Sequence, residues 1–175
     1  HCEAHVGAIG SAEAASMENC PPRWENDDCK EMRCRDPVAA SKMIETVEHH
    51  RMNRNSIGSR VDLQVSGVPL GLGEPWFDGI EPALARAMMS IPAARGVVFG
   101  RGFNVVKMTG VEHNDAWGGS SEHPMLVGEK PDGVIAGLST GSPIHVSVAF
   151  KPPSSIASEQ HTLNLASGTI EPLVV

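Results

Sequence analysis

At 175 residues and 18.6 kDa, the chain is long enough to bury a real core, and its formal charge of −7 excludes most nucleic-acid binders, whose affinity rests on phosphate contacts. Apolar residues make up 41% and charged residues 20%, no run approaches the ~20 apolar residues of a membrane span, and no signal peptide is visible. These features predict a single cytoplasmic domain over residues 1–175 that partners neither nucleic acid nor membrane, and the frequent glycine (18) and proline (13) predict many turns.

Residues 1–35 are dense in charge and turn residues, and we read them as an irregular surface excursion carrying cysteine and histidine. All four cysteines fall here (Cys2, Cys20, Cys29 and Cys34), and His1 and His5 complete a set of potential metal ligands. Their spacings match no zinc pattern, and a chain of this size needs no disulfide framework, so we read them as free thiols.

Asp36 then caps a helix, with Pro37 at its first position and VAASKMIETVEHH following. Met43, Ile44 and Val47 form its apolar stripe, with Val38 or Ala39 a turn earlier, and His49 and His50 end it as a solvated pair that complements the helix dipole. From Ser59, SRVDLQVSGV alternates as a strand with one wet face. The turn-rich VPLGLGEPWFDG is expected to use Trp76 and Phe77 as apolar plugs. Asp78 is expected to cap a second helix, IEPALARAMMSI, that presents Ile80, Leu84, Met88 and Ile91 on one face, carries Glu81 at its positive end and stops at Pro92.

AARGVVFGRGFNVVKMTG reads as two short strands joined through Gly100 and Gly102. Residues 111–133 lack periodicity and read as a mobile polar loop or lid. Their EHND run, Glu112 to Asp115, is either a polar turn or a source of a general acid or base. GLSTG, Gly137 to Gly141, is either a hairpin connection or a close backbone approach to a planar or phosphorylated ligand. In PIHVSVAF, Ile144, Val146, Val148 and Phe150 point one way on a strand. KPPSS follows: Lys151, Ser154 and Ser155 around the rigid Pro152–Pro153 bend make either an anion cradle or a plain turn with a snorkelling lysine. TIEPLVV reads as a last strand. Amphipathic helices alternating with wet-faced strands predict an α+β fold in which antiparallel sheet and helices form a sandwich. No GXSXG, HEXXH, P-loop or dinucleotide fingerprint is present.

Taken together, GLGEPWFD, MSIPAARG, GLSTG and FKPPSSI, in that order, resemble the chorismate synthase family's GLGEPVFD, MSIPAVKG, GISNG and FKPTSSI. The resemblance runs from about Val6 to Val175 and is strongest beyond Ser56. It implies a β-α-β sandwich, usually a homotetramer with one flavin per subunit. It further implies a lyase of aromatic amino-acid biosynthesis, in the shikimate pathway, that makes chorismate by anti 1,4-elimination of phosphate from 5-enolpyruvylshikimate 3-phosphate. Reduced FMN is required without net oxidation, and NADP-linked supply of the reduced flavin belongs to the same set of expectations. Position by position, Lys151, Pro152, Pro153, Ser154 and Ser155 match the flavin-contacting KPTSS segment. Pro92 and Ala93 match a second flavin-contacting pair. Ala136 stands where the family usually has a flavin-contacting glycine.

Other family blocks have no counterpart here. These are the FGESHG histidine, a second histidine, the RSSAR-like segment and the GRHDPC segment with its arginine and aspartate. EKPDGVIAG also replaces the usual asparagine and paired glycines before GLSTG. The expectation is therefore a central-to-C-terminal part of a chorismate synthase, inactive alone, forming one wall of the FMN site. Two rivals stand beside it: a non-catalytic flavin-binding or structural relative of the same fold, and a Cys/His metal module on a structural domain.

Overall fold

In chain order the elements are β1 (Cys2–Ile9), β2 (Ala12–Glu13), α1 (Asp27–Met32), α2 (Pro37–Met52), β3 (Ser59–Val65), α3 (Ile80–Met89) and β4 (Ala94–Phe99). They continue with α4 (Gly110–His113), β5 (Ala116–Gly119), β6 (Pro124–Val127), β7 (Val134–Ile135), β8 (Leu138–Ser139), β9 (Ile144–Phe150), β10 (Gln160–Asn164) and β11 (Thr169–Leu173). This computed structural model describes residues 1–128 and 132–175. Where one domain is expected, the chain divides into two compact units, each with its own buried cluster: His1–His5 with Arg60–Phe150, and Val6–Ser59 with Lys151–Val175.

In the first unit β3, β9 and β4 are neighbouring strands, with β9 and β4 antiparallel, and residues 2–5 of β1 lie next to β3. Alternation holds on β9, where Ile144, Val146 and Val148 are buried and pack with Ala94. Onto this cluster α3 lays Ile80, Leu84 and Met88, as its spacing predicts, while Ile91 stays exposed. β3 supplies Leu63 and Val65 to the same cluster. A bulge at Arg95, between Ala94↔Phe150 and Gly96↔Ala149, re-aims β4 at its start.

In the second unit Asp36 caps α2 as expected, its carboxylate accepting the Val38 and Ala39 N–H groups at 3.0 Å each. The buried face of α2 is Ala39, Ala40 and Met43, so the seam lies one residue towards alanine from the expected stripe: Ile44 is only half-buried, and Val38 and Val47 are exposed. β10 and β11 form a hairpin from Gln160↔Leu173 to Asn164↔Thr169.

Several sequence expectations are corrected. Residues 1–35 are structured: they hold β1, β2 and α1, and Cys29 and Cys34 are fully buried. Asp78 does not cap α3. A 3-10 turn, Trp76–Asp78, absorbs it, and Gly79 takes the cap position with no side-chain acceptor. The orphan Ile80 N–H donates instead to the Gly137 carbonyl at 3.0 Å. Among the described residues Trp76 and Phe77 plug nothing; they are 82% and 83% exposed. The second short strand expected after Gly100 is a 3-10 helix, Gly102–Lys107. Residues 111–128 carry most of α4 and the whole β5–β6 hairpin instead of an irregular loop, while residues 129–131 of the expected lid lie outside the described residues.

Candidate functional site

In the first unit, two glycine-rich blocks far apart in sequence interlock through their backbones. A Cβ on Gly73 would lie 2.5 Å from the Gly137 carbonyl oxygen, and one on Gly137 would lie 2.3 Å from the Glu74 carbonyl oxygen. A Cβ on Gly79 would meet the Gly137 Cα at 2.9 Å. Gly73, Gly79 and Gly137 are therefore glycines because these main chains cross in contact, while Gly71 and Gly141 face open space at positive φ. Ser139 fastens the crossing. Its Oγ donates to the Pro69 carbonyl at 2.5 Å and accepts the Leu72 N–H at 2.9 Å. Its own N–H and C=O bond Leu72 and Gly71.

Ala136 sits at the tip of this arrangement. β7 and β8 pair as Val134↔Ser139 and Ile135↔Leu138, so Ala136–Gly137 is a two-residue hairpin turn. Both residues have positive φ, 52° and 87°, as a type I′ turn requires. Pro92 and Ala93 follow the other end of α3, where Ala93 also has a left-handed φ of 69°. Ten residues of helix, about 15 Å at 1.5 Å per residue, separate these places. The register Ala94↔Phe150 places the last residue of β9 beside the first residue after Pro92–Ala93.

Lys151 to Ser155 belong to the second unit, and all five residues are exposed. The segment is tied down by Ser56, whose Oγ donates to the Pro153 carbonyl at 2.5 Å. Ser158 supports it from behind, its N–H and Oγ donating to the Arg54 carbonyl at 3.0 Å and 2.8 Å. A pre-set bend thus presents one ammonium and two hydroxyls to solvent, a donor set that suits the phosphate and carbonyl oxygens of a flavin nucleotide.

The EHND run separates into different jobs. Glu112 closes a capping box with Thr109, and those hydrogen bonds hold its carboxyl below the usual range. His113 Nε2 pairs with an Asp132 carboxylate oxygen at 3.2 Å, beside an open cavity of about 390 Å³ lined by Val105, Met108, Thr109, Gly110, His113 and Asn114. Asp132 escaped the sequence reading because nothing in its local pattern signals a partner nineteen residues upstream. Its other carboxylate oxygen is buried against Gly100, where a Cβ would lie 2.0 Å away. Burial and the charge of Asp132 raise the Glu81 carboxyl above its ordinary value. Among the described residues no three His, Cys, Asp or Glu side chains are arranged to hold a metal ion.

The family model for chorismate synthase matches residues 1–174. The chain is 38% identical to the chorismate synthase of Halorubrum lacusprofundi over 95% of its own length and 45% of that protein. It is 39% identical to the Methanosarcina mazei enzyme, covering 93% of the chain and 44% of the relative. With the Chitinophaga pinensis enzyme it shares 46% identity over 67% of the chain and 35% of the relative. A crystal structure of a chorismate synthase superposes with a TM-score of 0.76 at 26% identity, covering 89% of this chain and 50% of that one. The α+β assignment therefore stands, and the chain spans less than half the length of these curated relatives.

Proposed function

We propose a function that proceeds from one premise: the chain belongs to the chorismate synthase family. It forms one wall of the reduced-FMN site of a lyase that eliminates phosphate from 5-enolpyruvylshikimate 3-phosphate to give chorismate. The observation that carries this reading is the exposed Lys151–Ser155 segment, pre-bent by two prolines and anchored by Ser56. In this wall Lys151 supplies a charge-assisted donor, and Ser154 and Ser155 supply neutral donors. Pro152 and Pro153 fix the backbone before binding, so little order is lost when the flavin arrives. Left-handed Ala93 and Ala136 hold their peptide groups in orientations that extended or helical backbone does not offer, which supports backbone contact at both places. The reduced flavin, when bound, supplies transient electron density that assists departure of phosphate. The assembly in this reading is a cytoplasmic homotetramer with one flavin per subunit.

Titration of the full-length protein with FMN, oxidised and reduced, tests the wall. Lys151→Ala is expected to weaken flavin binding by about 1.5–3 kcal/mol, tenfold or more in Kd. Unchanged affinity would return Lys151 to a solvent-exposed lysine of no special role. Flavin binding without phosphate release would favour a non-catalytic relative.

A further inference from the structure

The buried N-terminal cysteines take no part in the flavin wall. Cys29 and Cys34 occupy defined places at the end of α1. Arg33 is left-handed (φ 52°, ψ 35°), and the Cys34 N–H donates to the Cys29 carbonyl at 3.1 Å. That is the six-to-one bond of a Schellman helix end, whose first and last side chains habitually touch. Both thiols are 0% exposed and lie in one apolar cluster with Ala40 and Met43. Cys20 also lies near enough for its charge to act on Cys34, but its Sγ donates to the Ala15 carbonyl at 3.4 Å, while the Cys34 Sγ donates to the Asp36 carbonyl at 3.6 Å.

We propose that Cys29 and Cys34 form a redox staple, a dithiol that a peroxide converts to a disulfide, locking the end of α1. In the first step the Cys29 sulfur attacks the peroxide: an S–O bond forms, the O–O bond breaks, and one water leaves. In the second the Cys34 sulfur attacks that sulfenic sulfur: the S–S bond forms, the S–O bond breaks, and a second water leaves. Two thiols lose two electrons and two protons, and peroxide is reduced to two waters. Burial pushes the Cys34 thiol up to about 11, leaving little of its thiolate near neutrality. Access comes through α1 itself. Reaction of the fully buried thiols therefore requires α1, six residues held by its Asn26 cap and its packing on α2, to open locally.

The test is to treat the full-length protein with hydrogen peroxide, alkylate the remaining thiols under denaturing conditions, and digest with trypsin without reductant. Cleavage after Lys30 and Arg33 puts Cys29 and Cys34 on different peptides, so the disulfide appears as a linked pair that disappears on reduction. The pair is expected in the wild type and in Cys20→Ser, and it should form faster as the pH of treatment rises towards 11. Oxidised protein should also melt at a higher temperature than reduced protein. Cys29 and Cys34 recovered as alkylated thiols after exposed Cys2 is fully oxidised would overturn the proposal. So would a link of either one to Cys20. The wild-type map decides alone, so nothing depends on a variant that fails to fold.

Discussion

Ala136 holds a backbone conformation that costs an L-residue roughly 1–2 kcal/mol, and only the β7–β8 turn and the glycine crossing beneath it keep it there. Ala136→Gly is expected to relieve that strain, offset in part by the greater freedom of glycine in the unfolded chain. A net gain of about 0.5–1 kcal/mol in urea unfolding follows. A loss of stability would mean that the methyl group packs usefully. Ser139 carries the opposite prediction. Its hydroxyl satisfies the Leu72 N–H and the Pro69 carbonyl together, so Ser139→Ala should destabilise by about 1–3 kcal/mol and speed amide exchange at Leu72. If exchange stays slow, the backbone bonds from Ser139 to Gly71 and Leu72 suffice on their own. At this scale the sequence was only partly legible. GLSTG announces a turn, but alanine at its tip does not advertise a left-handed residue, and a serine gives no sign of which distant carbonyl it will reach.

Among the elements, those whose cause is local were readable and those whose cause is remote were not. α2 begins where Asp36 and Pro37 say it should, and β9 buries the residues its alternation selects. β1 was missed because its warrant lies elsewhere: His1 exchanges both backbone hydrogen bonds with Ser66, 65 residues away. The KPPSS segment was legible as a bend with donors, while its anchor on Ser56, 97 residues upstream, was not. α3 shows how the two kinds of cause compete. A negative Glu81 in its first turn suits the helix dipole, but burial and the nearby Asp132 charge outweigh that benefit and raise its carboxyl. A raised carboxyl costs stability above its ordinary titration range and returns it as pH falls. Glu81→Gln is therefore expected to leave stability unchanged or raise it by under about 1 kcal/mol at pH 7 and to flatten its rise on mild acidification. A clear loss at pH 7 would show that the dipole term dominates.

For the molecule as a whole, the alkaline limb of stability is the more informative side of the pH profile. On the acid side Glu48, Glu112 and Glu171 are all held below the usual carboxylate range by hydrogen bonds, from Arg51, Thr109 and Ser167 respectively. Depressed carboxyls contribute stability above their unfolded values and lose it as pH falls through the folded ones, but these are fully exposed and contribute little each. Cys34 works in the other direction. Its thiol rises from 9.0 to about 11 on folding, because burial disfavours the thiolate. The folded state then holds its proton where the unfolded state has lost it. Stability is complete below pH 9, declines between 9 and 11, and falls by on the order of 2 kcal/mol in all. The chain contains no tyrosine, so phenol ionisation does not overlay this window. Melting temperatures measured from pH 7 to 11 should hold level to about 9 and then drop, and Cys34→Ala should show a shallower drop from a lower starting point, because it opens a small cavity but removes the titrating group. An unchanged slope in that variant would assign the alkaline loss to groups other than Cys34 and place its thiol within reach of solvent.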